Sequence, residues 1–409
     1  MKRAPDNNPA NASRPHGLVS VAGMYGAMGV AFVTGAVRLR LSIGAIGEEL
    51  TNQIASTFLL GTLAMALAAP QAGDVVFVTG SRRRFFGYFG LTALVGSVLW
   101  GASLIVRWLF PQALSGLGLN ADPLCWVGAP VNTVAFIMIG MLLSRDGRNL
   151  TRGLLESFVF LFSVACMAGV YLAPPEAAWS RHRVTWELLG LAGLFPLALF
   201  VLIDHRRLFG SPKPLDRSGL AASTWLMRLG RLGGFAFRPL LNLVFRPAGM
   251  ATTVMVLSQF RQGGSYASTL VKAPMFVFGE RVGRRPGAWL RLAVAGAMTG
   301  MLVVYVAIGG LFDVLSEGLL LKVIPIFAFY LFWTGIDMDR MRLLLAGRVG
   351  GLGRCTALGT VAVLAPIGPA ALVSPEWRLM TYLVGAVLSV GLAWWTNRAM
   401  MDRKADDIQ

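Results

Sequence analysis

Long apolar stretches recur along almost the whole chain, separated by short polar intervals rich in arginine and glycine. A bilayer crossing needs about 20 mostly apolar residues. Twelve segments meet that length: 17–37, 50–78, 88–106, 123–143, 153–172, 184–203, 235–258, 264–280, 289–311, 318–336, 355–374 and 377–396. Two are interrupted. The second contains Asn52, Gln53, Pro70 and Asp74, and the seventh carries two arginines and two prolines. The longest polar interval, 204–234, divides the twelve into six and six. Two halves of equal orientation are the layout of transporters built from parallel repeats.

The pattern therefore predicts an all-α polytopic membrane protein with about twelve transmembrane helices in two six-helix halves around a central cavity. Residues 1–16, with three prolines and three asparagines, read as a disordered tail. The halves are 17–203 and 235–396, joined by the linker 204–234 and followed by a tail at 397–409. Within the linker, Trp225 to Leu232 reads as an interfacial amphipathic turn.

Composition agrees with this reading. Hydrophobic residues make up 55% of the 409 and charged residues only 14%. Soluble domains carry roughly 25% charged residues, which excludes that class. The net charge of +17 does not indicate nucleic acid, because the basic residues come as short clusters between apolar runs and no aromatic-interleaved basic region is present. With the N-terminus inside, 26 of the 37 basic residues fall on the inner loops and tails, and eight on the outer side. That alternation is the positive-inside rule and predicts both termini in the cytoplasm; the expected location, a bacterial inner membrane, goes with the resemblance described below.

Three cations remain: Arg238, Arg246 and Lys272. A charge at bilayer depth costs about 2.5–3.5 kcal/mol on insertion scales, so it usually faces a cavity and serves a purpose. Arg238-Pro239 and Arg246-Pro247 are the same dipeptide eight residues apart. The spacing corresponds to about 12 Å of helix and an offset of about 80°. Arg238 is then expected near the inner boundary and Arg246 near mid-bilayer, with each proline permitting a kink. Lys272 is expected about 9 Å into the eighth helix, so that all three face one cavity. Arg38, Arg40, Arg261 and Lys322 extend the path at the outer mouth. Asp74 and Glu187 are the carboxylates placed to couple transport to an ion or to pair with these cations.

Catalytic signatures are missing from the sequence. His16, His182 and His205 lie outside the apolar segments, and there is no Ser-His-Asp, HExxH or phosphate-loop pattern. Cys125, Cys166 and Cys355 have no metal or disulfide spacing. No cofactor and no enzymatic activity are expected, although His182 near Glu187 keeps an integral-membrane glycan transferase or ligase as an alternative.

The second half holds Met227-Arg-Leu-Gly-Arg-Leu-Gly-Gly234, Pro239-Leu-Leu-Asn-Leu-Val244 and a glycine-bearing outer turn, Leu257 to Ala267. In these segments it resembles the polysaccharide branch of the multidrug and oligosaccharidyl-lipid exporter superfamily. Arg38 to Gly47 repeats that turn loosely in the first half, without the aromatic. The resemblance implies a flippase that moves an anionic lipid-linked sugar by alternating access, with membrane lipid and glycan-assembly machinery as partners. A second resemblance, to the major facilitator superfamily, rests on Gly279-Glu-Arg-Val-Gly-Arg-Arg-Pro286, while its expected stronger copy reads only Gly80-Ser-Arg-Arg-Arg84. That alternative implies an ion-coupled exporter of small molecules.

Overall fold

The computed structural model describes residues 14–61, 63–110, 124–145, 148–171, 209, 220–278, 287–348 and 351–406. The expected sixth span, 184–203, with His182 and Glu187, lies outside the described residues, as do His205 and the 279–286 loop. The described chain is helical nearly throughout. Its helices are α1 (Arg14–Gly61), α2 (Leu63–Ala68), α3 (Ala72–Thr79), α4 (Arg82–Leu109), α5 (Ala129–Arg145) and α6 (Asn149–Tyr171). They continue with α7 (Leu220–Phe245), α8 (Ala251–Phe278), α9 (Gly287–Ile308), α10 (Asp313–Ser316) and α11 (Leu319–Leu345). The last are α12 (Leu352–Leu364), α13 (Ile367–Leu372) and α14 (Pro375–Asp406). Seven helical stretches among these residues are long and apolar enough to cross a membrane.

Glycine and proline set the breaks. Gly47, at φ 78° and ψ 166°, bends the first long helix. Residues 38–46 are helical up to that point, so the expected turn over 38–47 shrinks to Gly47 alone. The second span, expected as one helix over 50–78, is divided: α2 ends at Ala68 and α3 begins at Ala72, with Pro70 and Gln71 between. The largest departure is in the seventh span. Residues 220–234, a linker by sequence, form the first half of α7, and the helix ends at Phe245. A 3-10 turn, Arg246–Ala248, then leads to Gly249 at φ 74°. The expected outer turn over Leu257–Ala267 is the interior of α8.

Helix packing repeats between the two groups. α1 packs along α6 as α7 packs along α12, and α3 packs on α5 as α8 packs on α11. Both long crossings depend on missing side chains. A Cβ on Gly153 would meet the Gly23 carbonyl oxygen at 2.4 Å, and one on Gly353 would meet the Ser223 carbonyl oxygen at 2.1 Å. Small residues at such points let helix backbones approach where no hydrophobic drive exists. The groups meet along α1, which touches α7, α8 and α9, and at α2, which touches α7. The main core lies under α8 and α11, around Phe260, Phe329, Tyr330 and Tyr382.

Candidate functional site

Polar side chains inside the bundle fall into two tiers, and the hairpin α7–α8 gives their spacing. Arg238 is seven residues before the end of α7, about 10 Å from the turn. Lys272 is six residues before the end of α8, about 9 Å from the opposite end. At 1.5 Å per residue the two differ in depth by about 20 Å. They do not share one cavity level.

The upper tier centres on Arg238. Its residue is 8% exposed, held in the helix interior next to Pro239. Tyr305 of α9 lies within its electrostatic reach, and Tyr266 of α8 and Arg38 of α1 lie within that of Tyr305. The Tyr305 hydroxyl donates to the Gly35 carbonyl at 3.1 Å, and its ring packs edge-on against Phe32. Arg261 of α8 belongs to the same hairpin. Its guanidinium donates to the Gly234 carbonyl at 2.7 Å and lies 5.0 Å over the Phe237 ring. Expected at the outer mouth, it instead braces α7 from about 15 Å within α8. Arg246 is the reverse case. Expected near mid-bilayer, it sits exposed on the turn after Phe245, because Pro247 and Gly249 end the helix earlier than its apolar run suggests. Arg40, exposed, lies against the Gly309-Gly310 turn, and Lys322 donates from Nζ to the Val314 carbonyl at 2.8 Å.

The lower tier is ionic and joins the two helix groups. Arg340 of α11 donates from Nη2 to Asp74 Oδ2 of α3 at 3.1 Å. One turn earlier on α11, Asp337 is 7% exposed, and its Oδ2 has no hydrogen-bond partner among the described residues. Lys272 lies in the field of Arg340, Asp337, Asp74 and, from α6, Arg152. The sequence leaves Asp74 to couple transport or to pair with a deep cation, and its ion-pair partner is Arg340. The apolar run ends at 336, which makes Arg340 and its neighbours look like loop residues. The helix runs on to Leu345, which buries Asp337 and Asp339 and places the partly exposed Arg340 within it.

Beside this ion pair, the break between α2 and α3 exposes backbone that would be satisfied inside a continuous helix. The Pro70 carbonyl accepts from Arg231 Nε at 2.8 Å. Gln71 donates to Ser223 Oγ at 2.9 Å and accepts from Thr224 Oγ1 at 3.3 Å. Ser223 Oγ also accepts from the Gly353 amide at 2.9 Å. Tyr25 of α1 adds a hydrogen bond to the Leu270 carbonyl of α8 at 3.0 Å. Polar links and an ion pair thus close the groups against each other at the end where Arg82, Arg145 and Arg348 also lie. Among the described residues, no three His, Cys, Asp or Glu side chains are grouped to hold a metal ion.

No family model matches the sequence, and no curated relative matches it. Solved structures do match in fold. A multidrug resistance MATE family transporter of the MOP superfamily, in an outward-facing conformation, aligns with TM-score 0.62 at 12% identity, covering 95% of this chain and 96% of that one. The Vibrio cholerae MATE transporter VcmN aligns with TM-score 0.56 at 14% identity, covering 96% of both chains. A MOP superfamily transporter from Pyrococcus furiosus aligns with TM-score 0.53 at 12% identity over 95% of both. The chain has the multi-pass helical fold of MATE-type membrane transporters.

Proposed function

We propose that this chain is an alternating-access membrane exporter that moves an anionic organic molecule and is coupled to an ion gradient. The observation that carries the substrate charge is Arg238, buried within α7 with Tyr305 in its electrostatic reach and Tyr266 and Arg38 in that of Tyr305. A guanidinium desolvated in this way pairs bidentately with carboxylate or phosphate oxygens, and the Tyr266 hydroxyl, which accepts from Gln262, keeps its own hydrogen to donate. The fold likeness to multidrug transporters supports small-molecule export. For the Pyrococcus furiosus neighbour, the reverse polarity of the binding pocket is reported to suggest a different function. The arginine-bearing interior of this chain is read in the same sense.

In this mechanism the lower tier is the gate. Opening at that end requires the Asp74–Arg340 pair and the Arg231–Pro70 link to separate, while the upper tier holds the cargo. Asp74 and Asp337, with Lys272 beside them, are the carboxylates that sense the coupling ion. A proton or metal ion taken up by Asp337 removes one of the two negative charges that face Lys272 and Arg340. The competition of these cations for Asp74 then changes, which links ion uptake to the gate.

Arg38 and Arg238, each within electrostatic reach of Tyr305, also suit a diphosphate, which favours a second reading: the lipid-linked sugar flippase of a bacterial cytoplasmic membrane. The two readings separate in reconstituted vesicles. Uptake of soluble organic anions by the purified protein supports the exporter. Movement of a polyprenyl-diphosphate sugar, with no uptake of soluble anions, supports the flippase. Uptake of organic cations in preference to anions sinks the shared premise.

A further inference from the structure

A third cationic cluster lies outside both tiers, on the surface of the second helix group. α11 runs between α9 and α14, packing on both. Arg291 near the start of α9 reaches over the Trp394 ring of α14 at 4.9 Å, and Arg398 of α14 lies over the same ring at 5.7 Å. Arg342 of α11 is within electrostatic range of Arg291, as is Arg398. The Arg342 side chain is 42% exposed and leans on Asp339 at 3.3 Å. Asp339 also accepts from Asn397 of α14 at 3.0 Å, which ties α11 to α14 directly beneath the cluster.

Two guanidinium groups thus stack on a ring that is itself wedged against Gly335 and Phe332, with Arg342 in the electrostatic range of Arg291. Trp289 and Trp395, 80% and 65% exposed, flank them at the same level. Exposed indoles are what a bilayer boundary collects, because the ring is apolar and its N–H is wet. Leu388 and Leu392 continue the exposed face of α14 away from that level. Cations at the boundary with an apolar stripe leading inward match a lipid: charge outside, acyl chain along the helix.

We propose that the groove over α11, between α9 and α14, binds the headgroup of an anionic phospholipid. Arg291 and Arg398 hold the phosphodiester, Arg342 closes the third side, and Trp394 fixes the plane on which the two guanidinium groups stack. Basic pockets between helices recognise anionic headgroups by this combination of charge and position. The site uses no side chain assigned to the cargo tier or the gate, so a test of lipid binding is separate from a test of the proposed transport function.

Native mass spectrometry of the full-length protein tests it. The protein is titrated with short-chain phosphatidylglycerol, with phosphatidylcholine of equal chain length, and with inorganic phosphate. Wild type is expected to retain phosphatidylglycerol in preference to both others. R291Q/R398Q is expected to weaken that binding about 30-fold, from about 1 kcal/mol for each basic residue at a membrane surface. R83Q/R348Q, which removes two exposed arginines elsewhere at the same end, is expected to stay within about threefold of wild type. Equal retention of the two lipids by wild type overturns the proposal without any variant needing to fold. So does binding that survives R291Q/R398Q, or an equal loss in R83Q/R348Q. Inorganic phosphate bound as well as the lipid would make this a free-anion site and overturns the lipid assignment.

Discussion

Arg340 Nη2 lies 3.1 Å from Asp74 Oδ2, and this ion pair joins α11 to α3 across 266 residues of sequence. It is the charged member of the gate described above, with Arg231 on Pro70 and Gln71 on Ser223 as its neutral companions. Removing one partner of a buried pair strands the other, at a cost of about 3–5 kcal/mol when water is fully excluded. Arg340 is partly exposed, so the lower end of that range applies. D74N should therefore shift the protein away from the closed arrangement. Disulfide cross-linking of Q71C/S223C, in a background with the native cysteines replaced, reads this directly. The yield should fall severalfold when D74N is added and recover in part with R340N, which removes the stranded charge. A yield unmoved by D74N would show that the pair does not hold the gate.

The Gly263-Gly264 pair is predicted to be structural. A Cβ on Gly263 would lie 2.1 Å from the Tyr330 hydroxyl, and one on Gly264 would lie 2.7 Å from the Trp333 ring. Those same side chains donate to the Phe260 and Gly264 carbonyls, at 2.7 and 3.1 Å, and so lock α11 onto α8. G263A should destabilise by about 1–3 kcal/mol through overpacking. Y330F should cost about 1 kcal/mol through one lost hydrogen bond. Because G263A already displaces the hydroxyl, the two effects should not add. Melting of the detergent-solubilised protein checks this, and strict additivity would contradict the packing described.

Arg246 and Arg238 share a dipeptide context but should behave differently. Arg246 is exposed on the turn that follows α7 and not in the helix interior that holds Arg238. R246A should leave substrate binding near wild type. Loss of binding in R246A equal to that in R238A would mean that the turn, not the α7 interior, holds the cargo.

Much of the fold is legible in the sequence because apolar length and arginine alternation both report bilayer position. α4, α5, α6, α9, α12 and α14 fall where apolar runs predict them. Of the residues that mar the second span, Pro70 falls at a helix break, while Asn52, Gln53 and Asp74 lie inside helices. The pattern misleads where arginine lies inside a helix. Arg228 and Arg231 make 220–234 look like a loop, yet Arg228 stacks on Trp225 at 4.9 Å and Arg231 bonds the Pro70 carbonyl, so both are accommodated within α7. Starting the helix too late pushes Arg246 into the bilayer and misplaces the α7–α8 turn. The better signal is Arg246-Pro-Ala-Gly249, a proline–glycine stop. Gly263-Gly264 misleads in the opposite sense, looking like a turn while serving close packing. The site is less legible than the fold. Arg238 and Lys272 stand out as cations in apolar runs, but the Asp74–Arg340 pairing is set by tertiary contact and leaves no local trace. Asp337 is hidden because the apolar run stops well before the helix does, at Leu345.

Arg238 is the residue that selects an anion in the proposed transport cycle. Uptake into vesicles of matched fluorescent substrates, one anionic and one cationic, compares wild type with R238Q at equal protein incorporation. The expected result is anion uptake by wild type that R238Q lowers at least tenfold, with Q71C/S223C cross-linking unchanged to show that the gate still closes. Wild-type uptake of the cation in place of the anion, or anion uptake that R238Q leaves intact, would contradict it.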